Sequence, residues 1–233
     1  MKGINHLAVI PMRKEPSECS EMVNQVLYGE SFDILDKQEK WSKIKLHHDQ
    51  YEGWIDNKQY DSPQSTVHGS QQKHTVNKLF IKYAAGNKKL ILPMGSFIQQ
   101  LSTINYQLSI IRIAKKFLGV PYLWGGRTFM GIDCSGFTQI VFRVNGIKLL
   151  RDSTQQQTQG KKIKFEKSLT NDLAFFSNKE GRIIHVGIII KEKGKTKIIH
   201  ASGCVRIDTL DKKGIFNEEM QTYSHNLHSV KRI

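Results

Sequence analysis

The sequence predicts an α+β protein: a small domain of short strands, then helices, then a meander of strands. Three observations carry that prediction. Residues 1–60 hold short apolar runs separated by turn residues. Residues 109–144 hold two segments with apolar side chains at helical spacing. From Asp172 onward the apolar residues gather in strand-length runs.

In the first part, Phe32–Leu35, Trp41–Leu46 and Gly53–Ile55 are the clearest strand candidates, with turns at Tyr28–Glu30 and Tyr51–Trp54. The facing of Trp41–Leu46 is imperfect, because polar Ser42 shares a face with Ile44 and Leu46. This arrangement resembles a bacterial SH3-like barrel, and residues 1–60 are read as that domain. Residues 61–77 are polar and read as loop or linker. Strand-like runs resume at Leu79–Tyr83, Lys89–Leu92 and Ser96–Leu101, with a turn signal at Gly86-Asn87. Residues 61–104 are therefore linker plus either a second, reduced SH3-like unit or a β-extension of the first.

Residues 105–233 read as one further domain. Ser109–Leu118 has apolar residues at 110, 113, 114, 117 and 118, a helical stripe closed by Gly119 with Pro121 beyond. Phe137–Val144 carries a second stripe, with Asp133 as the N-cap before it. Arg151–Gln157 is polar and irregular or briefly helical. Asp172–Phe176, Ile183–Ile190, Thr196–Gly203, Val205–Ile207 and His228–Ile233 supply strands.

Composition sets outer bounds. The 233 residues are 39% hydrophobic and 24% charged, as in ordinary globular proteins, with a formal charge of +14. Such a charge suits nucleic acid, an anionic polymer or a membrane surface. The lysines are scattered, however, and no nucleic-acid-binding motif is present, so the charge reads as solvated surface. No run is long enough to span a membrane. The start Met1–Pro11 has too short an apolar run for a secretory leader, and a cytoplasmic location is expected. Cys19, Cys134 and Cys204 are widely spaced and suggest neither a disulfide framework nor a zinc site. Cys19 and Cys204 are read as inert packing residues. His47-His48 would point to opposite faces of a strand, and Gly125-Gly126 lacks a phosphate-loop ending.

The chemistry gathers at Cys134. A cysteine in the first turn of a helix meets unpaired backbone N–H groups and the positive end of the helix dipole, which favour the thiolate. The same N–H groups suit an oxyanion. A small buried cysteine at a helix start is the competing reading. Two histidines on consecutive downstream strands, His185 and His200, suggest base and orienting group.

These residues carry a family resemblance. Pro121–Gly126 (Pro-Tyr-Leu-Trp-Gly-Gly), Asp133–Gly136 (Asp-Cys-Ser-Gly), Asp172–Phe176, His185–Gly187 and His200–Gly203 occur in the order found in NlpC/P60 cysteine peptidases. With an SH3-like region in front, the chain resembles the γ-D-glutamyl-L-diamino acid endopeptidases that cut cell-wall peptides. The resemblance implies a papain-like catalytic domain and a Cys134-His185-His200 triad. It implies oxyanion help from the Cys134 N–H and from Tyr122, whose alternative is a packing aromatic beside Trp124. It also implies a substrate with a free N-terminal L-alanine. Asp133, Ser135, Asp152 and Ser153 fall near that substrate, and Glu21 and Tyr51 close its amine end; for Glu21 plain surface placement is the alternative. The cell-wall peptide is the expected partner, with no nucleic acid, membrane, metal or cofactor. A noncatalytic wall-binding protein, and an amidase or acyltransferase using the same cysteine, remain as alternative functions. Oligomeric state and the diamino acid accepted are not legible.

Overall fold

The computed structural model describes residues 1–60, 73–99 and 108–233. The first strands are β1 (Lys2–Ile4), β2 (Val9–Arg13), β3 (Met22–Leu27), β4 (Ser31–Lys37), β5 (Trp41–Leu46) and β6 (Glu52–Asp56). They form one antiparallel sheet in the order β1-β4-β5-β6-β2-β3. Its inner face buries Ile10, Met12, Val26, Phe32, Ile44, Leu46, Ile55 and Tyr60. In β5 the alternation is regular after all: Ser42, Ile44 and Leu46 are all fully buried. Ser42 belongs inside because its hydroxyl lies 2.7 Å from Asn57 Oδ1 and 2.7 Å from the Tyr60 hydroxyl, which removes the cost of an unpaired buried donor. The turn expected at Tyr51–Trp54 lies earlier. Gln50 has a left-handed φ of 63°, and Glu52 already belongs to β6.

Next come β7 (Lys73–Thr75), β8 (Phe80–Ala85), β9 (Lys88–Pro93) and β10 (Phe97–Gln99). β8 and β9 form a hairpin around Gly86, as the turn signal predicts. β7 pairs antiparallel with β10, so Lys73–Thr75 is strand where a polar linker is expected. The rest of the expected linker up to residue 72, and the end of the Ser96–Leu101 run, lie outside the described residues. The Phe97 N–H donates to the Tyr28 carbonyl at 2.8 Å, which ties this unit to the β3–β4 corner.

The remaining part begins with α1 (Ile110–Lys115), capped by Ser109, and the short ladder of β11 (Arg127–Thr128) with β12 (Gly131–Ile132). Then follow α2 (Cys134–Arg143) and α3 (Ser153–Gln156). The strands are β13 (Lys161–Ile163), β14 (Leu173–Ser177), β15 (Ile183–Glu192), β16 (Lys195–Ser202), β17 (Cys204–Leu210), β18 (Gly214–Asn217) and β19 (Thr222–Arg232). The sheet order is β13-β19-β14-β15-β16-β17-β18, and β18 also pairs with β19, so six of the strands close on themselves. Both faces are apolar. Leu173, Phe175, Val186, Ile188 and Ile190 face α2, while Ala174, Phe176, Ile189, Ile198, Leu210 and Ile215 fill the enclosed side. The double burial explains why β15 reads as a continuous apolar run rather than an alternating one.

All ten residues of α2 are buried, and Phe117 meets Phe137 edge to face at 5.8 Å. The chain is mostly strand, with three short α-helices among the described residues, none long and apolar enough to cross a membrane. Three basic residues depart from the expected solvated charge. Arg127, Arg143 and Arg151 are at most 4% exposed, each paired with a buried carboxylate.

Candidate active site

The loop before α2 is shaped by one carboxylate. Asp133 has extended backbone (φ −89°, ψ 174°) and caps α2 by accepting from the Gly136 N–H at 2.6 Å. It also accepts from the Gly125 N–H, the Ser135 hydroxyl and two nitrogens of Arg151. Those five bonds exceed the roughly four lone-pair positions of a carboxylate. Asp133 is therefore engaged within the protein rather than free for a ligand ammonium. Arg151 is held in turn by Asn24 of β3, through Nε to Oδ1 at 2.8 Å. Gly125 has φ +74°, and a Cβ there would lie 2.4 Å from the Met22 carbonyl oxygen; only glycine lets this loop rest on β3.

Cys134 is the first residue of α2, and its amide has no intrahelical acceptor. The side chain is buried, and the nearby backbone N–H groups of Val186 and Ser135 favour its thiolate. Burial, reinforced by the Asp133 charge, nonetheless pushes the thiol up to about 12. This corrects the expectation of a readily ionised thiol. The helix-start donors are present, but desolvation outweighs them.

The backbone N–H that acts on the Cys134 sulfur from β15 is that of Val186, the neighbour of His185. His185 Nε2 lies 2.8 Å from His200 Nδ1 on β16, and His200 Nε2 lies 2.8 Å from Asp208 Oδ2 on β17. Arg206 grips the same carboxylate through Nε at 2.8 Å and Nη2 at 2.9 Å. Gly187 leaves room for this line, because a Cβ there would sit 2.8 Å from the Cβ of His200. His225 of β19 stacks on His185, with ring centroids 4.2 Å apart and planes 25° apart. Burial, with His200 and His225 alongside, lowers the His185 pKa well below its ordinary value. Burial likewise takes His225 to about 4.

A cavity of about 610 Å³ opens over Cys134. Glu21, Tyr51, Tyr122, Asp133, Ser135, Asp152 and Ser153 all line it, so the structure gathers these sequence candidates in one place. His185 and His200 are buried at the adjoining sheet. Glu21 Oε1 accepts from Trp124 Nε1 at 2.6 Å, and its Oε2 lies 3.6 Å from Lys14 Nζ. Tyr51 and Asp152 line the cavity close enough to shift one another's titration. Burial, with the charge of Asp152 close by, raises the Tyr51 pKa. Burial lifts the Asp152 carboxyl against the opposing pull of Arg151. For Tyr122, burial and then the charges of Cys134 and Asp133 keep the phenol protonated, hence able to donate.

Sequence reasoning missed Arg151, Asp208, Arg206, His225 and Trp124. Arg151 and Trp124 had local signals, Arg151 as the residue before Asp152 and Trp124 as a member of the Pro121–Gly126 motif. The others need the strand register or the inter-domain fit. Of the remaining cysteines, Cys19 is exposed, not packed, because it sits in the β2–β3 loop, and Cys204 is partly buried.

Comparison with known proteins bears on the two parts of the chain and on the fold. Residues 119–224 match the NlpC/P60 family, and residues 12–59 match the bacterial dipeptidyl-peptidase SH3 domain. A γ-D-glutamyl-L-lysine dipeptidyl-peptidase of Bacillus cereus is 25% identical over 87% of this chain and 74% of its own length. The Bacillus subtilis protein of that name is 27% identical over 78% of this chain and 74% of its length. The crystal structure of an NlpC/P60 family protein from Bacillus cereus superposes with a TM-score of 0.84 at 19% identity, covering 100% of this chain and 99% of that one, which supports the fold. The chain thus joins a bacterial SH3 domain of the dipeptidyl-peptidase type to an NlpC/P60 peptidase domain.

Proposed function

We propose that the chain is a cysteine endopeptidase that hydrolyses the γ-D-glutamyl–L-diamino acid bond of cell-wall peptides carrying a free N-terminal L-alanine. In this reading Cys134 over His185 forms a papain-like site. As Cys134 attacks the amide carbonyl, its proton passes to His185, so the thiolate exists only as the bond forms. The oxyanion is held by the Cys134 N–H and the Tyr122 hydroxyl. The tetrahedral intermediate expels the diamino-acid amine, which takes the proton from His185 and leaves a thioester on Cys134. Water then attacks the thioester, giving its proton to His185, and the L-Ala-γ-D-Glu carboxylate departs as the thiol is restored. His200 holds His185 in place throughout.

One observation carries the substrate assignment: Glu21 and Tyr51 of the SH3 domain line the same cavity as Cys134 and Asp152. An ammonium taken from water requires a paired acid or several acceptors, and these side chains supply them. The names of the two Bacillus relatives agree with the reading. Incubation with L-Ala-γ-D-Glu-diamino-acid peptides, followed by mass spectrometry, tests it. The expected product is L-Ala-γ-D-Glu. Intact peptide after incubation with folded, reduced enzyme across lysine and diaminopimelate substrates would overturn it, and binding to wall polymer without turnover would favour a noncatalytic module.

A further inference from the structure

The line of side chains does not stop at His200, and its far end constrains its near end. Asp208 has a side chain 8% exposed. Its Oδ2 faces His200 Nε2 and Arg206 Nε, and its Oδ1 faces Arg206 Nη2. Burial by itself raises the pKa of this carboxyl, but the hydrogen bonds from His200 and Arg206 outweigh it and hold Asp208 below its ordinary range.

An ionised carboxylate only accepts. The proton between Asp208 and His200 must therefore sit on His200 Nε2. In the uncharged ring one nitrogen carries the proton and the other is bare, so in that form, with Nε2 protonated, His200 Nδ1 is bare. That atom is 2.8 Å from His185 Nε2, and two bare nitrogens at that distance would repel. His185 Nε2 therefore carries a proton. Neutral His185 then has one basic atom left, Nδ1.

We infer that Asp208, pinned by Arg206, is a positioning residue that fixes the tautomers of both His200 and His185 and so leaves His185 Nδ1 as the base. This rests on the proposal that Cys134 and His185 carry the reaction. No bond to substrate is involved; Asp208 acts through His200. The rings that face His185 are Phe176 from β14, His200 from β16 and His225 from β19, and α2, which begins at Cys134, packs against β15. None of these offers a carboxylate, so the sign of the whole line is set by Asp208.

The inference separates cleanly from the activity assignment, because tautomers are read without turnover. In wild-type protein labelled with 15N-histidine, Nδ1 of His185 and of His200 should both give the signal of a bare ring nitrogen near neutral pH, assigned with His185→Gln and His200→Gln. A protonated Nδ1 on His185 would overturn the inference on the wild-type protein alone. In Asp208→Asn the amide can donate to His200 Nε2 and invert both rings, and in Asp208→Ala the bias is removed. Each should lower kcat by about 10²- to 10⁴-fold, the range expected of a wrong tautomer, with KM little changed. A folded Asp208→Ala that keeps kcat within about threefold of wild type, with unchanged histidine nitrogen signals, would also overturn it. Lack of turnover by wild type with the inferred tautomers in place would instead count against the peptidase reading and leave the positioning role of Asp208 standing.

Discussion

Replacing Glu30 with glutamine should loosen the join between the SH3 domain and the catalytic domain. Glu30 is 1% exposed at the β3–β4 corner and accepts two bonds of 3.0 Å from Arg127. It accepts another from Arg143 Nη1 and one of 2.7 Å from the Leu27 N–H. Arg127 and Arg143 both belong to the catalytic domain, and among the described residues the other guanidinium nitrogens of Arg143 have no acceptor. Glutamine keeps the shape but leaves two buried cations facing a neutral amide. Removing one partner of a buried ion pair costs roughly 3–5 kcal/mol, and the retained amide oxygen favours the lower end, about 3 kcal/mol. For a chain of this size that lowers Tm by roughly 6–12 °C. The carboxylate also carries a pH signature. Burial raises its pKa, but Arg127 and Arg143 overcome that and hold it far below the ordinary carboxyl range. Its contribution is thus fully present above the unfolded-state pKa near 4.5 and is lost as pH falls through the depressed folded-state value. Thermal melts by circular dichroism from pH 7 to pH 3 are the assay. The gap between wild type and Glu30→Gln should be widest near neutrality and should begin to narrow as the pH falls below the unfolded-state value near 4.5. A Tm for Glu30→Gln within about 2 °C of wild type at pH 7 would refute the reasoning, since the interface charges would then be indifferent to compensation.

Three further outcomes are expected. Cys134→Ser should keep its melting curve and lose nearly all hydrolysis, whereas Cys19→Ser and Cys204→Ser should retain most of it; near-normal cleavage by Cys134→Ser in a product assay would remove the nucleophile from the scheme. N-acetylating the substrate alanine should lower kcat/KM about ten- to a hundredfold, as roughly 1–3 kcal/mol of pairing with Glu21, Tyr51 and Asp152 is lost. Equal rates for both peptides would return the SH3 domain to a tethering role. Because burial disfavours the His185 cation, the acid limb of kcat/KM should have its midpoint below pH 6.5. His225→Ala uncovers the ring and should move that midpoint upward, further than His225→Phe, which keeps the stack and removes only the neighbouring imidazole; identical pH profiles for all three proteins would show that the stacked ring does not tune the base.

Local chemistry was readable from the sequence. The Asp133 cap, the start of α2 close to Cys134 and the hairpin turn at Gly86 rest on residue types whose preferences act within a few positions. The alternation in β5 was obscured only because Ser42 is a buried polar residue whose partners, Asn57 and Tyr60, lie 15 and 18 positions away. Asp208 was invisible for a related reason. It joins His200 only once β16 and β17 pair with Ile198 opposite Asp208, and register is not a local property. The arginines were misread as surface because a basic residue declares nothing about its acid. Arg127 is 97 positions from Glu30, and Arg143 is 113 away.

The closure made by β19 bears on how the chain is assembled at the ribosome. One strand of eleven residues pairs with β13 and β14 along its later half and with β18 along its earlier half. It emerges after every strand it joins. Until then β14 and β18 expose unpaired backbone edges, and the apolar interior around Phe176 and Ile189 stands open to water. The nascent protein therefore passes through a stage with Cys134, His185 and His200 already synthesised but the sheet around them unsealed, a stage prone to edge-to-edge association. The first six-stranded sheet, whose last strand ends at Asp56, faces no such delay. Chaperone capture should accordingly concentrate on chains in which β18 has left the ribosome and β19 has not, and release should coincide with the arrival of the strand that brings His225 onto His185.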